Sequence, residues 1–215
     1  MHLSGFKDSF CRVVIKLQGG QRKKLQGSPW IMPTAFSPYP AMTHRIKEKD
    51  FCSMQNSTPR LSFAYLLENT NPRAMAWVRG GAEAPELSGL VKFYETPYRG
   101  VLVEAEIFGL PNINIQNSSD FYAMHIHDGS GCQNNFAQIN GHFNPAGQAH
   151  PQHAGDLIPL LGNQGYAWAA FYDTRFDIKE IIGKYVIIHG HPDDFTTQPS
   201  GNSGAMIACG EIRPA

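Results

Sequence analysis

From residue 74 onward, short runs of apolar residues alternate with polar ones and stop at Gly, Pro or Asn, the pattern of an all-β sandwich or barrel. Ala74 to Arg79 reads as one strand ending at Gly80 and Gly81, and Leu87 to Thr96 as a second ending at Pro97. Val101, Val103, Ala105 and Ile107 alternate with Leu102, Glu104, Glu106 and Phe108, and a two-residue period turns the first set toward the core. Tyr122, Met124 and Ile126 alternate with Ala123, His125 and His127, so the apolar set enters the core and both histidines share the opposite face. Tyr166 to Asp173, Tyr185 to His189 and Met206 to Ile212 read as further strands, with a helical turn between Asp177 and Lys184. Seven or eight strands in about 140 residues, joined by long loops at 128–156 and 190–205, predict a β-sandwich or flattened barrel. Loops of that length inside a compact domain usually carry function.

Charge changes the picture, because it is unevenly placed. The 215 residues balance 18 Lys and Arg against 18 Asp and Glu, but ten of the basic and three of the acidic residues fall in positions 1–60. A basic extension over 1–67, rich in Gly and Pro and without a sustained apolar period, therefore precedes an acidic domain over 68–215. The extension lacks the Arg/aromatic interleaving of a nucleic-acid binder and the amphipathic stripe of a membrane binder, so neither partner is expected. Val13-Val14-Ile15 is too short for a secretory h-region, which points to a cytoplasmic protein, and Met42 or Met54 is a candidate true start. No P-loop or Gly-x-Gly-x-x-Gly sequence opens a helix, which leaves nucleotide binding without support.

The chemistry lies in the histidines, seven of which fall between 125 and 191. His125 and His127 sit on one strand face about 6–7 Å apart at the backbone, close enough to reach one ion. His142, His150, His153 and Asp156 offer four more donors, a set that a tetrahedral zinc ion accepts, and His189 ends a strand. Together they suit two ions better than one, and imidazole suits both copper and zinc.

Five segments in order carry a family resemblance: His125-Ile-His127-Asp-Gly-Ser-Gly-Cys132, Gly141-His142-Phe-Asn-Pro145, His153-Ala-Gly-Asp156-Leu, Ile181-Ile-Gly-Lys-Tyr-Val-Ile-Ile-His189, and Gly201-Asn-Ser-Gly-Ala-Met-Ile-Ala-Cys-Gly210. Over residues 74–212 the chain resembles the Cu/Zn superoxide dismutases, most closely the bacterial forms. The resemblance implies an eight-stranded Greek-key β-barrel with long metal-binding and substrate-channel loops. It implies copper on His125, His127, His142 and His189, zinc on His142, His150, His153 and Asp156, and His142 shared between them. It also implies that Asp193 links a copper histidine to a zinc histidine, ahead of Asp194 and His191, and that Cys132 and Cys209 form a disulfide. Closing that loop contributes on the order of 4 kcal/mol through chain entropy. A disulfide favours an oxidising compartment, so an extracytoplasmic location stands as the alternative.

The implied activity is dismutation of superoxide to oxygen and hydrogen peroxide, with catalysis resting on His142, His125, His127 and His189. One position departs from the family. Met206 stands where the resemblance expects an arginine facing substrate, and a thioether offers neither charge nor strong donors to an anion. A slowed enzyme is expected, with Lys184, Arg175 and His191 as other candidate steering cations and a non-catalytic copper/zinc-binding or metal-buffering protein as the alternative. A cupin is disfavoured because no glutamate follows the second histidine at 130–133, and a (β/α)₈ amidohydrolase because the chain is too short for that barrel. Leu102 and Phe108, apolar and facing outward, leave a homodimer open.

Overall fold

A computed structural model describes residues 59–111 and 120–215. The readings made on positions 1–58, namely their lack of folded structure and the candidate starts Met42 and Met54, lie outside the described residues.

Helix α1 (Pro59–Asn69) precedes a meander of β1 (Ala74–Gly80), β2 (Ser88–Glu95) and β3 (Val101–Phe108). There follow β4 (Phe121–Tyr122), β5 (Met124–Gly129), the short α2 (Gln133–Phe136), β6 (Ile139–His142) and β7 (Leu160–Leu161). The chain ends with β8 (Tyr166–Asp173), α3 (Ile178–Ile181), β9 (Tyr185–His189) and β10 (Met206–Pro214). Eight of these strands form one curled antiparallel sheet in the order β6-β5-β9-β10-β1-β2-β3-β8, and β4 pairs with β7. The crossings from β3 to β5 and from β8 to β9 carry the chain between distant strands of the sheet, in the Greek-key manner expected. No helix of the described residues is long and apolar enough to cross a membrane.

The inward alternation holds: Val101, Val103, Ala105 and Ile107 join Val78, Val91, Phe93, Met124, Ile126 and Ile188 in one buried core. Two expectations change. The suggested boundary at residue 68 falls inside α1, so residues 59–67 are helix rather than extension. The helix carries apolar residues on its exposed as well as its buried face, with Leu61 exposed and Leu66 buried, so no 3.6-residue period marks it in the sequence. Its contacts select it instead: Leu66 packs with Tyr94 and Leu102, and Phe63 stacks on Tyr172 at 5.0 Å between ring centroids. Leu102, read as an outward position open to a partner, is for that reason buried under the chain's own helix.

The loop at 128–156 is also more ordered than expected, because it contains α2 and β6. Strand β6 is a sheet edge with the sequence Ile-Asn-Gly-His, too short and too polar to show a period. Cys132 and Cys209 are joined by a disulfide across a separation of 77 residues, tying this loop to β10.

Candidate metal centre

Register decides which histidines meet. Strand β5 carries His125 and His127, β9 lies beside it and ends in His189, and β6 pairs on the other side with His142 directly opposite His127. The rings of His125 and His142 are 4.1 Å apart between centroids, and those of His127 and His142 are 4.6 Å apart. From the loop after β6, His150, His153 and Asp156 reach the far side of the His142 ring. Two groups result: His125, His127, His142 and His189, and His142, His150, His153 and Asp156, each with one ligand-capable atom per residue within 4.8 Å of the others. All seven residues are buried.

Hydrogen bonds assign a role to the ring nitrogens of the first group. A carbonyl or carboxylate oxygen only accepts, so the nitrogen facing it must carry the proton and the other nitrogen keeps its lone pair. Asp193 is placed between the groups, with Oδ2 accepting from His125 Nε2 and Oδ1 from His150 Nε2, each at 2.8 Å. That leaves Nδ1 as the free lone pair of His125, while His150 Nδ1 turns to the second group, 3.1 Å from Asp156 Oδ2. His127 Nδ1 donates to the Asn140 carbonyl at 2.8 Å and His189 Nδ1 to the Gly204 carbonyl at 3.2 Å, leaving Nε2 on each. Those two Nε2 atoms face each other at 3.3 Å. His142 Nδ1 lies 2.6 Å from Asp156 Oδ1, its co-donor in the second group, and its Nε2 has no hydrogen-bond partner.

The first group therefore presents four imidazole lone pairs and no proton toward one another, an arrangement that repels itself unless a cation sits among them. Among the described residues, the buried side-chain polar atoms without a hydrogen-bond partner are His125 Nδ1, His142 Nε2 and His150 Nδ1. Each lies in these groups, His142 in both, so the donor set fits metal ions. Burial, together with the neighbouring imidazoles, keeps these rings neutral: His125 is pushed far below the ordinary histidine range, His127 down to about 3 and His189 down to about 4. Burial alone would raise the Asp156 carboxyl, but the hydrogen bond with His142 holds it below the ordinary range.

The last loop supports the arrangement in ways the sequence did not reveal. Gln198 brackets His150, accepting from its backbone N at 3.0 Å and donating to its carbonyl at 2.7 Å. Gly201 lies against Asp193 so closely that a Cβ there would fall 1.9 Å from Asp193 Oδ1 and 2.7 Å from His150 Nε2. No period or spacing signals either contact. Asp194 is exposed and accepts from Thr196 and Thr197, which hold its carboxyl low and shape the turn. His191 is also exposed.

Met206 sits opposite His189 on the neighbouring strand, half-buried against the small cluster that contains Phe136, Ile187 and Cys209. Two of the other cations are already engaged. Lys184 pairs with Asp128, and Arg175 pairs with Asp173.

A curled eight-stranded antiparallel sheet carrying two buried histidine groups that share one ring defines an all-β protein with donor sets that could hold metal ions. Residues 87–212 match the family model for copper/zinc superoxide dismutase (SODC), and the chain belongs to that family. It is 34% identical over 145 residues to superoxide dismutase [Cu-Zn] 2 of Aquifex aeolicus (strain VF5), covering 60% of this chain and 80% of that one. It is 28% identical over 158 residues to superoxide dismutase [Cu-Zn] 3 of Arabidopsis thaliana, covering 66% and 90%. The fold matches that of a SOD-like protein from Bacillus subtilis with a TM-score of 0.52 and 27% identity, over 64% of this chain and 96% of that one. The metals of the family are copper and zinc, and the two groups offer donors suited to both.

Proposed function

We propose that the chain dismutates superoxide to oxygen and hydrogen peroxide, with copper held by His125, His127, His142 and His189 and zinc by His142, His150, His153 and Asp156. The observation that carries this reading is the set of unpartnered lone pairs left by the surrounding hydrogen bonds, with His142 common to both groups. Copper, when bound, supplies the one-electron exchange by which two superoxide anions and two protons become oxygen and hydrogen peroxide.

The chain's own residues supply position, protons and exclusion of water. Asp193 sets the tautomers of His125 and His150 together, so that a shift at one group is felt at the other. His142 turns Nδ1 toward the second group and its unpartnered Nε2 toward the first, which makes Nε2 the atom at which this ring takes up or releases a proton. Burial of all seven donors keeps bulk water from competing for the ions.

Metal analysis of one purified sample, with its superoxide dismutation rate, tests the proposal. The expected result is one copper and one zinc per chain and a rate well above that of the metal-free protein. A copper- and zinc-loaded protein no faster than the metal-free one would establish the second reading, a non-catalytic metal-binding or metal-buffering protein. Met206 in place of the anion-facing arginine is the observation that favours that reading. The disulfide supports an oxidising compartment over the cytoplasm. Phe108, exposed beside Tyr166, supports a homodimer, which sedimentation velocity measures directly.

A further inference from the structure

Arg175 lies just beyond the end of β8 and belongs to neither histidine group. Its guanidinium forks onto Asp173, with Nε 3.1 Å and 3.2 Å from the two carboxylate oxygens and Nη2 2.6 Å from Oδ2. The Arg175 backbone N also donates to Asp173 Oδ1 at 2.8 Å. The Asp173 side chain is buried, so the guanidinium that neutralises it is held in one orientation. The outer edge of the same fork faces the metal loop: Nη1 donates to the His153 carbonyl at 3.2 Å, and Nη2 donates to the Asp156 carbonyl.

Those two carbonyls belong to a single turn. Asp156 N donates to the His153 carbonyl at 3.2 Å, and His153 N donates to Asp156 Oδ2 at 2.9 Å. One face of the turn is fixed to the barrel through Gly155, which donates to the Phe143 carbonyl and accepts from Ile126 N, both at 2.8 Å. Arg175 holds the carbonyls. It thereby couples β8 to the backbone of two of the four donors in the second group.

We propose that Arg175 is a positioning residue for the zinc-binding group, fixing His153 and Asp156 through their carbonyls rather than steering the anionic substrate. The inference rests on the assignment of zinc to that group. Lysine at this position keeps the charge but provides no planar fork, so charge and geometry are separable. Loss of such a supporting contact lowers metal affinity by about 10–100-fold in comparable sites.

The experiment uses the full chain with Arg175→Lys and Arg175→Met, zinc affinity from competition with a chromophoric chelator, copper affinity on the same samples, and the visible spectrum after cobalt(II) loading. Both variants are expected to lose zinc affinity by that factor and to show altered cobalt bands, while copper affinity stays at the parent value. Unchanged zinc affinity and cobalt bands in the variants would overturn the proposal. So would an Arg175→Lys variant equal to the parent, or an equal loss of both metals, which marks a general loss of stability. A parent chain that binds no zinc at His142, His150, His153 and Asp156 instead removes the functional reading beneath it. Should Arg175→Met fail to fold, Arg175→Lys and Asp173→Asn carry the same test, since each disturbs the fork while retaining a cation.

Discussion

His142 Nδ1 lies 2.6 Å from Asp156 Oδ1, and the other nitrogen of the same ring is buried without a hydrogen-bond partner. One ring thus serves two groups of donors from its two edges. Replacing His142 with alanine is expected to lower copper and zinc binding together, by about tenfold or more each, whereas His153→Ala should lower zinc alone. Metal-to-protein ratios after dialysis against a weak chelator distinguish the two patterns. Loss of a single metal from the His142 variant would contradict the shared role.

Gly201 has a backbone φ of +68° and packs on the carboxylate that joins His125 to His150. A methyl group there must displace Asp193 as well as strain the backbone. Gly201→Ala is expected to destabilise the fold by about 1–3 kcal/mol and to reduce metal retention. Denaturant melts of metal-free and loaded protein read the first effect, and metal analysis reads the second. Parental values in both would show that Asp193 has room to move.

Met206 stands beside His189, and Lys184 and Arg175 are each paired with a carboxylate. A cation restored at 206 is therefore expected to matter. Met206→Arg should raise the superoxide rate by about tenfold at low ionic strength, with the gain shrinking as salt screens the charge. An unchanged low-salt rate would mean that another group already attracts the anion.

In the metal-free protein, the pKa values of His127 and His189 fall from an ordinary 6.5 to about 3 and about 4, chiefly through burial. Both lie lower in the folded state than in the unfolded chain, so the unfolded chain takes up protons first as pH falls. Their contribution to stability is complete above 6.5 and is lost as pH drops toward about 4 for His189 and about 3 for His127. The slope is about 1.4 kcal/mol per pH unit for each ring inside its window. Urea unfolding of chelator-treated protein across that range measures it. A flat profile would show that these rings are not held neutral.

Much of the architecture was legible along the chain because the main strands are half-buried and alternate. β8 and β9 have the same ends in the structure as in the sequence reading, and β1 and β2 lie within one or two residues of theirs. Helix α1 and edge strand β6 were not legible, since neither carries a period; contacts with Tyr94, Leu102 and Tyr172 hold the first, and pairing with β5 defines the second.

The site divides along the same line. Residue type and order set out seven donors, because donor chemistry belongs to side chains wherever they sit, and the family resemblance of the motifs added the linking carboxylate at Asp193, the cysteine pair and the departure at Met206. Only the tertiary structure decided that His125 Nδ1, His142 Nε2 and His150 Nδ1 lack hydrogen-bond partners, that Gly201 must lack a side chain, and that Arg175 and Lys184 are already engaged. Those facts depend on distances between residues far apart in the chain, which strand register and loop packing create and local sequence does not encode.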